Sequence, residues 1–240
     1  LTNFIRLAVN WYYKIFVRNL VVLTSKDKES YPTFLKSKIG VLGNPLCLRN
    51  SQTIPDSTSK KENIILSVGR LSPEKGFYEY ICFIAENKSL FKNWKVNIVG
   101  SGPELTRLNK LIASSGLTHL VTILPFSNDI ESFYKEAVIY YLPSIKEGFG
   151  LVLLEAMEFG IPIIANSSSK GARTLIENSV TGLLVDNKTN TLAALNLLMG
   201  SYDERKKLAL NSRATVKKYY VDNVVNDWEI LIEHCERSWF

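Results

Sequence analysis

Cysteine and histidine are the scarcest chemically active residues in this chain. Its three cysteines, Cys47, Cys82 and Cys235, stand far apart among 240 residues and form no C-x-x-C pair, which argues against a disulfide framework and suits reduced thiols in a cytosolic protein. His119 and His234 are the only histidines and are isolated from each other, so no metal centre held by protein ligands is expected. No apolar run reaches the roughly 18 to 20 residues that a membrane-spanning helix needs. Internal repeats and low-complexity tracts are absent. The first residue is Leu1 rather than methionine, and the expectation is a fragment or a processed chain. N-x-[ST] matches begin at Asn87, Asn166 and Asn187, but with no secretory segment they read as chance.

What is present is the composition of a soluble globular protein, 46% hydrophobic, with room for one large α/β domain or for one domain and part of another. Lysine and arginine number 29 against 23 acids, a net charge of +6. That excess suits nucleotides, phosphates, nucleic acid or an acidic membrane surface, and does not choose among them. The opening stretch "FIRLAVNWYYKIFVRN", Phe4 to Asn19, mixes aromatics with Arg6, Lys14 and Arg18. It can lie on a membrane surface as an amphipathic helix or pack against a neighbouring layer, and packing is the first expectation.

The chain then alternates. "LVVLTS" (Leu20 to Ser25) and "KIGVLGNPL" (Lys38 to Leu46) are short strands around a helix-compatible stretch, and the polar run from Arg49 to Glu62 is a linker. Beyond it come six nearly continuous apolar runs: Asn63 to Gly69, Trp94 to Gly100, Leu120 to Pro125, Ala137 to Pro143, Ile161 to Asn166 and Thr181 to Asp186. Each reads as a strand buried on both faces, and each gap can hold a helix. The pattern predicts an α/β fold with a doubly wound parallel sheet, followed by a helical carboxy-terminal tail. The expected boundaries are a remnant of another domain over 1–45, a linker over 46–62, a Rossmann-like domain over 63–188 and carboxy-terminal helices over 189–240.

In such sheets ligands bind beyond the carboxyl ends of the strands, and the chemically suggestive residues follow the apolar runs. "VGRLSPEKGF" lacks the G-x-x-x-x-G-K-[ST] spacing of a Walker loop but places Arg70 and Lys75 after the first strand. They are either solvated basic residues or a seat for a diphosphate. "VGSGPEL" (Val99 to Leu105) has two glycines but no third, and reads mainly as a tight turn. "EGFGLVLLE" sets Glu147 and Glu155 either side of seven residues, with Gly148 and Gly150 ahead of a helix that starts at Leu151. In isolation this is a solvated loop and an outer helix face. In context, the amides of Gly150 and Leu151 at a helix's positive end form an anion site. Two acceptor-only carboxylates beside it suit the hydroxyls of a ribose and a second polyol, and together with Arg70 and Lys75 they describe a nucleotide-sugar site.

"GRLSPEKG", "EGFGLVLLEAMEFGIPIIA" and "TGLLV", in this order, resemble the retaining glycosyltransferases of the GT-B fold, the glycosyl transferases group 1, over roughly residues 40–235. The resemblance implies that Glu147 is catalytic and contacts the donor sugar, that Arg70 and Lys75 hold the diphosphate, that the backbone of Phe149, Gly150 and Leu151 meets sugar and phosphate, and that Glu155 binds the ribose. It places the base against Leu124, Pro125 and Phe126. It implies no cofactor and no metal, the nucleotide-sugar being a substrate. Two departures stand out: Lys170-Gly171 and Thr174 replace the Gly-Gly and Glu of many relatives, and most of the family's amino-terminal domain, with its acceptor site, is missing.

The function so implied is retaining transfer of a sugar from a UDP-sugar or other nucleotide-sugar to a glycan or lipid-linked acceptor. The setting would be surface polysaccharide or lipopolysaccharide synthesis in the cytoplasm, with peripheral contact at the inner face of the membrane. The alternative is a nucleotide-sugar-binding fragment without turnover. Glycoside hydrolysis by the glutamate pair has no use for a basic diphosphate seat, and no nucleic-acid-binding module is recognisable, so no nucleic-acid partner is expected.

Overall fold

A computed structural model of the chain describes residues 2–48 and 62–237, with the side chains of residues 2, 3 and 234–237 left out. Most of the expected linker, residues 49–61, and the side chains of His234 and Cys235 therefore lie outside what is described. The chain divides into two compact units, Leu1–Cys47 with Lys218–Phe240, and Leu48–Lys217.

The first unit opens with α1 (Thr2–Phe16), β1 (Leu20–Val22), α2 (Ser25–Glu29), α3 (Thr33–Lys36) and β2 (Ile39–Val41). β1 and β2 pair in parallel with Leu20 opposite Ile39. Thr24 caps α2 by accepting from the Asp27 amide at 3.0 Å and donating to the Asp27 carboxylate at 2.7 Å, which satisfies one of the helix's free amides. Lys38 Nζ donates to the carbonyls of Lys14 and Val17 at 2.8 and 2.9 Å, closing the end of α1 as a cation at a helix carboxyl terminus does. Phe4, Leu7, Trp11, Tyr12, Ile15 and Phe16 of α1 are exposed. The sequence expectation that this segment packs against a layer is therefore not met by these side chains within the unit; Trp11 instead lies beside Phe34 and under Lys14.

The second unit runs through β3 (Ile64–Val68), α4 (Phe77–Glu86), β4 (Lys95–Val99), α5 (Leu105–Ser114), β5 (Val121–Leu124), α6 (Ile130–Glu136), β6 (Ile139–Leu142) and α7 (Leu151–Glu158). It continues through β7 (Ile163–Asn166), α8 (Lys170–Leu175), β8 (Leu183–Val185), α9 (Lys188–Gly200) and α10 (Tyr202–Val216). The six strands form one parallel sheet in the order β5-β4-β3-β6-β7-β8. Every residue of β6 is buried, and four of the five in β3 are, because helices cover both faces. Side chains alternate across the sheet. On β6, Tyr141 meets Tyr80 of α4 at 4.3 Å between ring centres, while its neighbour Tyr140 meets Tyr134 of α6 at 6.1 Å. Aromatic pairs on opposite sides of one strand hold helices to both faces, each pair worth about 0.5–1.5 kcal/mol beyond its buried area.

α11 (Val221–Arg237) completes the chain and belongs to the first unit. It is anchored there by the Leu46 amide, which donates to the Tyr219 carbonyl at 2.7 Å, and by Leu231, which lies against Gly40 of β2. The helical segment expected over 189–240 is thus divided: α9 and α10 group with the large sheet and α11 with the small one.

Candidate nucleotide-sugar site

The strand order reverses between β3 and β6, neighbours in space that are separated in the chain by three α-helices and two strands. At such a switch point the connecting loops leave in opposite directions and open a crevice at the strands' carboxyl ends. The loops after β3 and β6 carry Arg70 and Lys75 on one side and Glu147 to Leu151 on the other.

The first loop is fixed by close backbone approach. The Leu71 amide donates to the Ser101 carbonyl at 2.9 Å, and a Cβ on Gly100 or Gly102 would stand 1.9 Å from the Gly69 oxygen or 2.4 Å from the Leu71 oxygen. The two glycines of "VGSGPEL" are there to let a neighbouring turn through, in agreement with the reading of a tight turn. Pro73 to Lys75 form a single 3-10 turn ended by Gly76 at φ 71°, where a Cβ would lie 2.6 Å from the Pro143 oxygen. The Glu74 carbonyl accepts from the Ile145 amide at 3.0 Å. Ser72 Oγ donates to the Glu74 carboxylate at 2.6 Å, and this bond, aided by Arg70 and Lys75, lowers the pKa of Glu74. Arg70 is exposed, and its backbone carbonyl accepts from the Ser72 amide at 2.9 Å.

The second loop meets the first through an ion pair. Lys75 Nζ lies 2.5 Å from Glu147 Oε2, with 19% and 17% of the two side chains exposed. The Glu147 carbonyl accepts from the Gly171 amide at 3.1 Å, and a Cβ on Gly171 would meet the Phe149 oxygen at 2.4 Å, so the loop before α8 is pressed onto the glutamate loop. Gly150, at φ 94° and ψ 56°, caps α7 with no side-chain hydrogen bond. The first intrahelical bonds go to its carbonyl from Leu153 and Leu154. The amides of Gly150, Leu151 and Val152 have no backbone partner among the described residues, which leaves donors and the positive end of the helix dipole available to an anion.

Glu155 lies on the inner side of α7, half-buried. The buried Tyr134 hydroxyl donates to its Oε2 at 2.6 Å. Burial pushes the Glu155 carboxyl above the ordinary value of 4.5 and the Tyr134 bond works against that rise. Tyr140 donates its hydroxyl to the Val68 carbonyl at 3.3 Å, closing the end of β3.

The structure therefore joins Lys75 directly to Glu147 and sets Gly150, Leu151 and Glu155 on the helix that follows. Leu124, Pro125 and Phe126 stand apart from this group: they end and follow β5, the edge strand with β4 between it and β3, and Phe126 is 67% exposed. Thr174 donates to the Lys170 carbonyl at 2.9 Å inside α8. Two participants escaped the sequence reading, Tyr134 and the close-approach glycine Gly76, while Gly171 entered it only as a departure from the family pattern. A glycine beside a loop is a weak local sign of close approach, but a tyrosine on α6 has none. Cys47 and Cys82 are free thiols, and no group of three or more His, Cys, Asp or Glu is gathered for a metal among the described residues. No described helix is long and apolar enough to cross a membrane.

Residues 50–215 match the family described as glycosyl transferases group 1. The chain is 31% identical over 226 residues to the GalNAc-alpha-(1->4)-GalNAc-alpha-(1->3)-diNAcBac-PP-undecaprenol alpha-1,4-N-acetyl-D-galactosaminyltransferase of Campylobacter jejuni, covering 93% of this chain and 62% of that protein. It is 30% identical over 224 residues to the amylovoran biosynthesis glycosyltransferase AmsD of Erwinia amylovora, covering 89% and 61%. The fold matches that of Anabaena Alr3699/HepE, solved in complex with UDP, at a TM-score of 0.81 and 22% identity, over 97% of this chain and 67% of that one. The chain spans about three fifths of the length of these two sequence relatives.

Proposed function

Because this chain belongs to the glycosyl transferases group 1, we propose that it carries the donor half of a retaining glycosyltransferase. Its donor is a UDP-sugar, and the sugar goes to a glycan or lipid-linked acceptor in surface polysaccharide or lipopolysaccharide synthesis. The observation that carries this reading is the 2.5 Å Lys75–Glu147 pair beside the open amino end of α7: cation, carboxylate and helix terminus meet at one crevice. The relatives support the choice, since one is named for transfer to an undecaprenol-linked glycan and one structural neighbour was solved with UDP.

In this reading Arg70 and Lys75 grip the diphosphate, and the amides of Gly150 and Leu151 add donors to it. Glu147 is the catalytic carboxylate that orients the donor sugar through its hydroxyls, with Phe149 backbone beside it. Glu155 accepts from the ribose, and the base rests on Leu124, Pro125 and Phe126. The bond from the sugar's anomeric carbon to the phosphate oxygen breaks with its electron pair leaving on UDP. The acceptor oxygen attacks from the same face and its proton passes to the departing phosphate. The growing charge on that phosphate meets two side-chain cations and a helix end already in place, an electrostatic stabilisation that needs little reorganisation. Exposed Phe4, Trp11 and Phe16 on α1, with Lys14 among them, support work at the inner face of a membrane.

Calorimetric titration with UDP, GDP and ADP tests the donor assignment: UDP should bind most tightly, and absence of binding by all three defeats the reading. A second reading, binding without turnover, draws on the chain's spanning only three fifths of its relatives. Release of labelled sugar from a UDP-sugar by this chain alone would dismiss it.

A further inference from the structure

We infer that Tyr134 is a positioning residue for the nucleotide: its hydroxyl holds one oxygen of Glu155, leaving the other as the single acceptor offered to the ribose. The inference rests on the proposed ribose contact of Glu155 and adds to it a residue on a different element.

A glutamate side chain has three rotatable bonds and two equivalent oxygens, so a free Glu155 would meet a ribose from many orientations and lose that freedom on binding. The structure removes the choice before any ligand arrives. Tyr134 donates to Oε2 at 2.6 Å, within the short range of hydrogen bonds to an ionised acceptor. The ring behind that hydroxyl cannot swing: it is 1% exposed, stacked on Phe159 at 5.4 Å between centres and 15° between planes, and flanked by Tyr140 at 6.1 Å. Tyr140 does not compete, because its own hydroxyl is directed to the Val68 carbonyl. Burial raises the Tyr134 phenol well above 10, so the hydroxyl stays protonated and can only donate to a carboxylate. α6 itself is fixed at its start by Asp129, which accepts from the Ser132 amide. One rigid phenol thus sets where Oε1 points.

The test compares UDP with 2′,3′-dideoxy-UDP by calorimetry on the full chain. The native protein should prefer UDP by about tenfold or more, the scale of a hydrogen bond to a charged group, and Glu155→Ala should bind both equally. Tyr134→Phe should lose most of that preference by weakening UDP alone, while Tyr140→Phe keeps it. If the native protein binds both ligands equally, the ribose contact itself is wrong and the inference goes with it. If native protein discriminates, Glu155→Ala does not, and Tyr134→Phe discriminates as fully as native, the positioning role alone is overturned. Should Tyr134→Phe fail to fold, the Tyr134 hydroxyl proton resonance of the native protein decides, assigned by its loss in Glu155→Ala. It should persist when UDP is added, and its disappearance overturns the inference.

Discussion

Lys75 and Glu147, 72 positions apart in the chain, meet at 2.5 Å. Each is the last polar residue of a loop that leaves a central strand, and their pairing balances charge between two side chains that are themselves largely buried. A diphosphate arriving there would share Lys75 with Glu147 rather than find it bare. Replacing Lys75 with Met should therefore weaken UDP by about 1–3 kcal/mol, as the loss of a charge-assisted bond predicts. Calorimetry reads that loss, and unchanged affinity would remove Lys75 from the phosphate seat.

Gly171 and Gly148 form a matched pair for testing the crevice wall. A Cβ on Gly171 would stand 2.4 Å from the Phe149 oxygen, whereas one on Gly148 would meet nothing within 4 Å. Gly171→Ala should cost about 1–3 kcal/mol of stability, the range for overpacking against backbone, and should also weaken UDP by displacing the glutamate loop. Gly148→Ala should fall within about 0.5 kcal/mol of native. Thermal unfolding and titration of both variants check the contrast, and equal behaviour would contradict it.

Glu155 should make the protein's stability depend on pH in a direction opposite to that of an ordinary salt-bridged acid. Its folded pKa lies above 4.5 because burial penalises the charge, and the groups facing it are the phenols of Tyr134 and, at longer range, Tyr140. The folded state then holds the proton more firmly than the unfolded one, so this group's contribution falls as pH rises from 4.5 through the raised value and stays reduced above it. Glu155→Gln should gain on native across that window and show no advantage below it. Urea unfolding between about pH 4 and pH 8 measures the difference. UDP affinity of the native protein should fall on acidification through the same window, since a protonated carboxyl loses an acceptor.

Phe126 is exposed on its loop, so Phe126→Ala should leave the melting temperature unchanged. If the base rests on this ring, UDP affinity should drop by about 1–3 kcal/mol, the range for a base stacked on an aromatic side chain. The ribose-free ligand pyrophosphate should bind as before. Loss of pyrophosphate binding would show that the loop acts in some other way.

Much of this architecture was legible because burial on both faces leaves a mark along the chain. Every run such as "NIILSV" or "AVIYYL" became a strand of the large sheet, since only a sheet covered by helices on each side tolerates apolar residues at successive positions. The start of α7 was legible too: Gly150 announces a left-handed cap and Leu151 the apolar face behind it. The fate of the carboxy-terminal helices was not. α9, α10 and α11 all read as helices from the chain, and it takes contacts such as Leu231 against Gly40 and Leu46 with Tyr219 to assign α11 to the small sheet.

The sequence alone determined the kinds of groups available at the crevice, two carboxylates, a lysine, an arginine and a glycine-capped helix, because local spacing sets which residues follow each strand. Tertiary structure alone decided that Lys75 pairs with Glu147, that Tyr134 takes an oxygen of Glu155 and that Gly171 presses on Phe149. The first follows from β3 lying beside β6, the second from α6 and α7 flanking β6, and the third from β7 lying on the other side of β6; these neighbour relations are created by crossover of the chain and carried by no single stretch of it.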